Sequence, residues 1–420
     1  MNTRRMVSIY ELLQCLTDAA DLISPDLTNH HQQVSYLAYL IADQMGLSNT
    51  SKRNLVIAGL LHDVGALGLK ERHSFIEKEP PNIQDHAHRG WMLLSGLNHL
   101  KDAAHIIKYH HVPWDNGKGK VFNNEEVSML SHIIHLADRI AVKIKNDNEV
   151  LEQVPDIRKQ ILSKKGKNFV PEMVDAFIEI SHKEYIWLDL SYKPLLNILS
   201  KVVIFDIWEL NWDDIIDLTK IFSKIIDFRS HFTATHTAGV AAVAVELARR
   251  SGFSELELKM MKVAGHLHDL GKLAVPTEIL DKTKPLKVEE YNIIKSHAFY
   301  TFRLLQNIEA FDTVSRWAAF HHEKLNGTGY PFHLDRHQLS LGSRIIAVAD
   351  IFTAIAEDRP YRSGMSERAI RDVLSDLVKN ETICPYVTNI LFDNIDEINH
   401  VRNSEQRKAA EEYRSFFEYS

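Results

Sequence analysis

Lys262-Val263-Ala264-Gly265-His266-Leu267-His268-Asp269-Leu270-Gly271-Lys272-Leu273-Ala274-Val275 decides the fold once it is set beside Val56-Ile57-Ala58-Gly59-Leu60-Leu61-His62-Asp63-Val64-Gly65-Ala66-Leu67-Gly68-Leu69. The two stretches lie 206 residues apart, the separation that also relates His30 to His236, His62 to His268 and Asp63 to Asp269. Around them LIADQMGLS (40–48) stands opposite ELARRSGFS (246–254). Further along, His86 and His297, His110 and His321, and His111 and His322 differ by 211, and Asp138 and Asp350 by 212. A short insertion in the second copy, near Lys282 to Lys287, accounts for the step. The tails also correspond, FVPEMVDAFIEI (169–180) with ICPYVTNILFDNIDEI (383–398). Chance does not keep seven ligand-type positions in phase, so the chain is read as a duplication.

Both copies carry apolar residues at helical spacing and reach a Gly that signals a helix end. SRIIAVADIFTAIAED (343–358) has the same period and stops before Arg359-Pro360, because proline disfavours helix in the residue ahead of it. Alternating apolar and polar runs long enough for a sheet are missing. The expected fold is therefore all-α: two homologous helical domains joined by a packed, helical linker. The expected boundaries are 1–190 for the first domain, 191–215 for the linker and 216–420 for the second domain. The apolar and aromatic segment around 183–215 contains little Gly or Ser, which predicts a packed connection instead of a flexible tether.

Composition narrows the function. Apolar residues at 45% and charged residues at 25% are ordinary for a globular protein. Only Cys15 and Cys384 occur, which excludes a disulfide framework and a cysteine-based zinc site and fits a reducing cytoplasm. The start MNTRRMVSIYELLQCL lacks the long apolar core of a signal peptide. No run of about 18 apolar residues predicts a membrane span. The net charge of −7 offers no general attraction to nucleic acid or membrane. Arg249-Arg250 and SKKGK (163–167) are read as solvated surface.

Imidazoles gathered with carboxylates favour Zn, Mn or Fe over Mg or Ca. In the second copy the candidate ligands are His236, His268, Asp269, His297, His321, His322 and Asp350. Adjacent side chains diverge by about 100° on a helix, so His268 and Asp269 reach two metals if the carboxylate bridges. One metal is assigned to His236, His268, Asp269 and Asp350, the other to Asp269, His297, His321 and His322. Two metals about 3.5–4 Å apart suit in-line displacement at phosphorus. The first copy keeps every ligand type as His30, His62, Asp63, His86, His110, His111 and Asp138. His86 is preferred over His88 because its 24-residue spacing to His110 equals that from His297 to His321. Histidines outside these sets, among them His132 and His135, are read as surface or packing residues.

The ordered set His236, HDLGK (268–272), His297, HHEKLNGTGYP (321–331), Asp350 and RPYR (359–362) resembles the HD-GYP subgroup of the HD phosphohydrolase superfamily over roughly residues 216–400. The resemblance implies an all-helical, metal-dependent phosphodiesterase that opens a 3′,5′-cyclic dinucleotide, cyclic di-GMP or 3′,3′-cyclic GMP-AMP, to the linear form. It implies two divalent ions, Fe or Mn, with Asp269 and Lys272 catalytic. Lys272, Gly329, Tyr330, Pro331 and Arg362 would bind substrate. Some members carry a Glu one helical turn before the first His, where this chain has Phe232; the site is therefore expected to be binuclear, with linear product accumulating. The first copy lacks the lip: Ala66 stands for Lys272, Val112 for Glu323, and VPWDNGKGK (112–120) for EKLNGTGYP (323–331). It is read as a regulatory HD domain with a possible further metal site. A diguanylate cyclase or a second copy of the chain is a conceivable partner. Alternatives are a signalling adaptor that responds to cyclic dinucleotide without turnover, which would bind metal yet give no product, and an HD-type nucleotidase, which would not need the GYP lip.

Overall fold

The computed structural model describes residues 7–23, 29–66, 83–145, 148–192, 195–203, 209–229, 235–358 and 363–418. The fold is all-α; the strands among the described residues are two-residue pairs, Val7–Ser8 with Glu209–Leu210 and Val121–Phe122 with Glu125–Glu126, both antiparallel. Chain contacts divide the molecule into one unit of residues 24–208 and another of residues 1–23 with 209–419.

Equivalent helices recur in the two units. His30–Gln44 corresponds to His236–Arg250, Asn49–Leu61 to Glu255–Leu267, Lys101–Lys108 to Asp312–Ala319, and Pro171–Ile180 to Pro385–Asp393. Local chemistry sets their starts. Ser48 and Ser254 accept the backbone N–H three residues on, and Glu257 completes a capping box with Ser254. Pro171 and Pro385 occupy the first turn, where the missing N–H costs nothing.

In each unit the helix that opens with a ligand histidine packs against the helix that ends at the His-Asp pair. Their crossing needs glycine. A Cβ on Gly59 would come within 2.7 Å of the Ser35 Cα, and one on Gly265 within 2.6 Å of the Ala241 Cα. The side-chain-free crossing brings His62 and His268, three residues further on, over the opening turn of the partner helix. In the second unit His236–Arg250 also packs on Leu341–Ala356 and on the long last helix Ile395–Glu418.

The expected linker contains the helix Leu195–Val202, preceded by Glu184–Ser191, both packed in the first unit. Trp187, Leu190, Leu195, Leu196 and Leu199 are buried, Gln33 Nε2 donates to the Leu190 carbonyl, and Tyr36 donates to Asp189. One placement differs from the expected boundaries. The helix Ile9–Ile23, counted with the first domain by its position in the chain, packs against the turn Leu270–Ala274 and the helix Val288–Leu305 of the second unit. Its buried stripe of Ile9, Leu12, Leu13, Leu16 and Ala19 shows that it needs an apolar partner but not which copy provides one.

Candidate metal centres

Each unit gathers its seven ligand-type residues around a buried carboxylate. In the second unit Asp269 places Oδ2 3.2 Å from His268 Nε2, while Oδ1 lies 3.5 Å from His297 Nε2 and 4.0 Å from His321 Nε2. His236 Nε2 is 3.1 Å from Asp350 Oδ1. Donor atoms converge within metal-binding range in His236, His268 and Asp350, in His297, His321 and His322, and in His268, Asp269 and His321 between them. The two Asp269 oxygens thus face opposite halves of the cluster, as a bridging carboxylate must.

The first unit repeats the pattern. Asp63 Oδ2 is 3.4 Å from His62 Nε2; Oδ1 is 3.2 Å from His86 Nε2 and 4.0 Å from His110 Nε2. His30 Nε2 lies 3.2 Å from Asp138 Oδ1. His86 and His111 approach at 3.2 Å, whereas His88 lies against the Trp91 ring, outside the cluster. His31, the neighbour of His30, is also buried, its ring 5.2 Å from that of His62.

The hydrogen bonds test whether metals fit. His268, His297 and His321 set Nδ1 2.8, 2.6 and 2.6 Å from the carbonyls of Gly265, Ile294 and Ala318. His62 and His110 do the same toward Gly59 and Ile107, each at 2.8 Å. With the proton on Nδ1, each Nε2 presents a lone pair to the centre. Yet among the described residues His62, His110 and His268 Nε2 are buried without a hydrogen-bond partner, and His297 Nε2 faces His321 Nε2 at 3.3 Å, lone pair toward lone pair. Buried acceptors left in this way are costly, and a shared cation is what such a donor set satisfies. The residues therefore fit metal in both units.

Electrostatics agree. Burial alone would raise the Asp269 carboxyl, but His268 and Lys272 hold it well below the usual carboxylate range. Burial, then neighbouring imidazoles, bring His321 down to about 3; burial, offset in part by Asp269 and reinforced by Lys272, brings His297 to about 4. Both are neutral ligands at pH 7. His236 and His268 shift the other way: burial would lower both, but Glu357 and Asp350 push His236 up to about 10, and Asp269 raises His268.

A cavity of about 680 Å³ opens beside His321 and His322. Gly329, Tyr330 and Pro331, the expected substrate-binding lip, line it together with Tyr291, Asn292 and Lys295, which the sequence did not single out. Tyr330 lies against His322 with ring centroids 4.8 Å apart, and the Lys295 ammonium is 4.9 Å from the Tyr291 ring centre and 5.8 Å from that of Tyr330. The lip is pinned by Glu323, a buried carboxylate that accepts the N–H groups of Phe332 at 2.7 Å and Leu334 at 2.9 Å. Lys272 is not in this lining; its ammonium sits 2.6 Å from Asp269 Oδ2. Arg362 and Phe232 lie outside the described residues.

In the first unit the places of lining residues Ala347, Ile351 and Ile383 are held by His135, Arg139 and Phe169. His135 and Phe169 are buried with rings 5.3 Å apart, and Arg139 Nη2 donates to Asp138 Oδ2 at 2.7 Å. His132, like His135, is a buried packing residue.

The profile of the HD domain family matches residues 14–142 and 220–381, one stretch in each copy. The chain is 30% identical over 416 residues to the 3′3′-cGAMP-specific phosphodiesterase 1 of Vibrio cholerae, covering 97% of this chain and 94% of that relative. A cyclic di-GMP phosphodiesterase of Pseudomonas aeruginosa is 37% identical over 134 residues, 32% of each chain. Among solved structures, a cyclic GMP-AMP-specific phosphodiesterase of Vibrio cholerae superposes with a TM-score of 0.66 at 22% identity, covering 93% of this chain and 98% of that one. That likeness speaks for the fold alone.

Proposed function

The chain belongs to the HD domain family, and on that premise we propose that it is a metal-dependent phosphodiesterase that opens a cyclic dinucleotide to its linear form in the second unit. Relatives named as cyclic dinucleotide phosphodiesterases support the reaction class. The carrying observation is the His-Asp cluster whose members His321 and His322 line the lip-walled cavity. Two divalent cations, Fe or Mn, held by His236, His268, Asp269, His297, His321, His322 and Asp350, would neutralise phosphoryl oxygens and lower the pKa of water. Asp269 divides its oxygens between the two halves of the cluster. Lys272 fixes Asp269 and adds a positive charge beside the phosphate position. Tyr330, held by the Glu323-pinned lip, walls the cavity over His322. A cyclic dinucleotide has two phosphodiesters; with one at the cluster, Lys295 on the cavity wall suits the other.

Between the two substrates, 3′,3′-cyclic GMP-AMP is proposed as the faster, since the relative that matches nearly the whole chain is named for it. The first unit, with its ligand set intact but the lining positions filled by larger side chains, is proposed as a regulatory metal centre without turnover. Chelation should abolish hydrolysis, and Mn(II) or Fe(II) should restore it. Hydrolysis that persists after complete metal removal would contradict the proposal.

A further inference from the structure

His268, His297 and His321 each hold their Nδ1 proton on the carbonyl three residues back in their own helix. His236 is the first residue of the helix His236–Arg250, so that helix has no preceding turn to offer its Nδ1 a carbonyl. Its Nδ1 instead faces a carboxylate, 3.3 Å from Glu357 Oε1 and 3.4 Å from Oε2. On the opposite side of the ring, Nε2 faces Asp350. The two nitrogens of an imidazole diverge, so a metal bound through Nε2 is out of reach of a carboxylate seated on Nδ1.

Glu357 is itself fixed. It is 5% exposed and caps the helix Leu341–Ala356. Gln406 Nε2, from the last helix, donates to Glu357 Oε2 at 2.9 Å. Arg402 Nη1 donates to Gln406 Oε1 at 2.5 Å, and its Nη2 to the Ala356 carbonyl at 3.3 Å. Room for this arm is built into the first-ligand helix. A Cβ on Gly239, one turn after His236, would come within 2.9 Å of Gln406 Nε2. The register that pairs Asp138 with Asp350 sets Lys145 opposite Glu357, and the one that pairs His30 with His236 sets Gln33 opposite Gly239. At these matching positions the first copy therefore has neither that carboxylate nor that glycine.

We propose that Glu357 is a positioning residue for the second centre: it fixes the tautomer and ring orientation of His236, and the last helix holds it there through Gln406 and Arg402. This rests on the metal reading of the site but not on the identity of the substrate. Partners of this kind are worth about ten- to a hundredfold in metal affinity or activity.

The test is Mn(II) affinity and stoichiometry, read by chelator competition in the full chain carrying Asp63→Ala so that the second centre dominates. Glu357→Ala should weaken the binding of one ion about ten- to a hundredfold. Glu357→Gln, which keeps the hydrogen bond and loses the charge, should weaken it less, and Gln406→Ala should fall between wild type and Glu357→Ala. The melting temperature measured without metal controls for a merely structural role. Unchanged affinity in Glu357→Ala, or a lowered melting temperature with unchanged affinity, would overturn the proposal. So would outright loss of one equivalent in all three variants, as expected for His236→Ala, because that would make Glu357 a ligand. Normal graded affinities with no cyclic dinucleotide hydrolysis would instead sink the proposed reaction and leave Glu357 in its role.

Discussion

Asp269 carries more of the second centre than any other residue, since its two oxygens face both metal-binding groups and its charge is balanced by Lys272. Asp269→Ala should therefore lower turnover by more than about a hundredfold, the upper range for a residue one layer further out, and lower bound Mn(II) with it. Glu323 should behave differently. Its carboxylate holds two lip N–H groups, and charged hydrogen bonds are worth about 1.5–3 kcal/mol each. Glu323→Ala should raise KM about tenfold or more with Mn(II) content unchanged, since about 1.4 kcal/mol is a factor of ten. Lys295→Ala should raise KM for the cyclic dinucleotide but not for a small single phosphodiester such as bis(p-nitrophenyl) phosphate, which has no second phosphate to place. The clustered His and Asp residues were legible because the duplication repeats them in phase. Glu357 was not, although it lies seven residues after Asp350, two helical turns on the same face. The repeat could not mark it, because the first copy has Lys145 there.

At the scale of elements, the placement of ligands depends on where helices begin and cross. Helical periodicity was readable, and so was a stop near Gly65 and Gly271, although the helices end four residues earlier, at Leu61 and Leu267; the glycines ahead of the His-Asp pairs have a different use. Gly59 and Gly265 sit inside helices because a side chain there would strike the backbone of the partner helix. Gly265→Val should destabilise the second unit by about 1–3 kcal/mol through overpacking, seen as a lower melting temperature, and should weaken metal binding because His268 follows it by one turn. A variant with unchanged melting temperature would show that the crossing tolerates a side chain. The short helix Ile9–Ile23 carries the complementary lesson. Its amphipathic stripe is plain in the sequence, yet which copy accepts it depends on the groove offered by Leu270–Ala274 and Val288–Leu305, information that no local pattern contains.

Across the whole molecule, one ancestral unit appears twice with its ligands retained and its access divergent. The second copy has the smaller side chains Ala347, Ile351 and Ile383 beside a pinned lip; the first has His135, Arg139 and Phe169 in those places, with Arg139 on Asp138. No helix among the described residues is long and apolar enough to cross a membrane. The two-domain, all-helical organisation was readable from phase and periodicity, whereas the larger residues at the lining positions of the first copy were not singled out, because such substitutions acquire meaning only once the helices are packed. The central claim is that the second centre performs hydrolysis and the first does not. Mn- or Fe-loaded protein should be incubated anaerobically with 3′,3′-cyclic GMP-AMP and with cyclic di-GMP, and the products separated by chromatography, for the wild type, Asp269→Ala and Asp63→Ala. Linear dinucleotide from wild type and Asp63→Ala but not from Asp269→Ala, formed faster from cyclic GMP-AMP, is the predicted result. No product from either nucleotide with metal confirmed in the protein, or product lost only in Asp63→Ala, would contradict it.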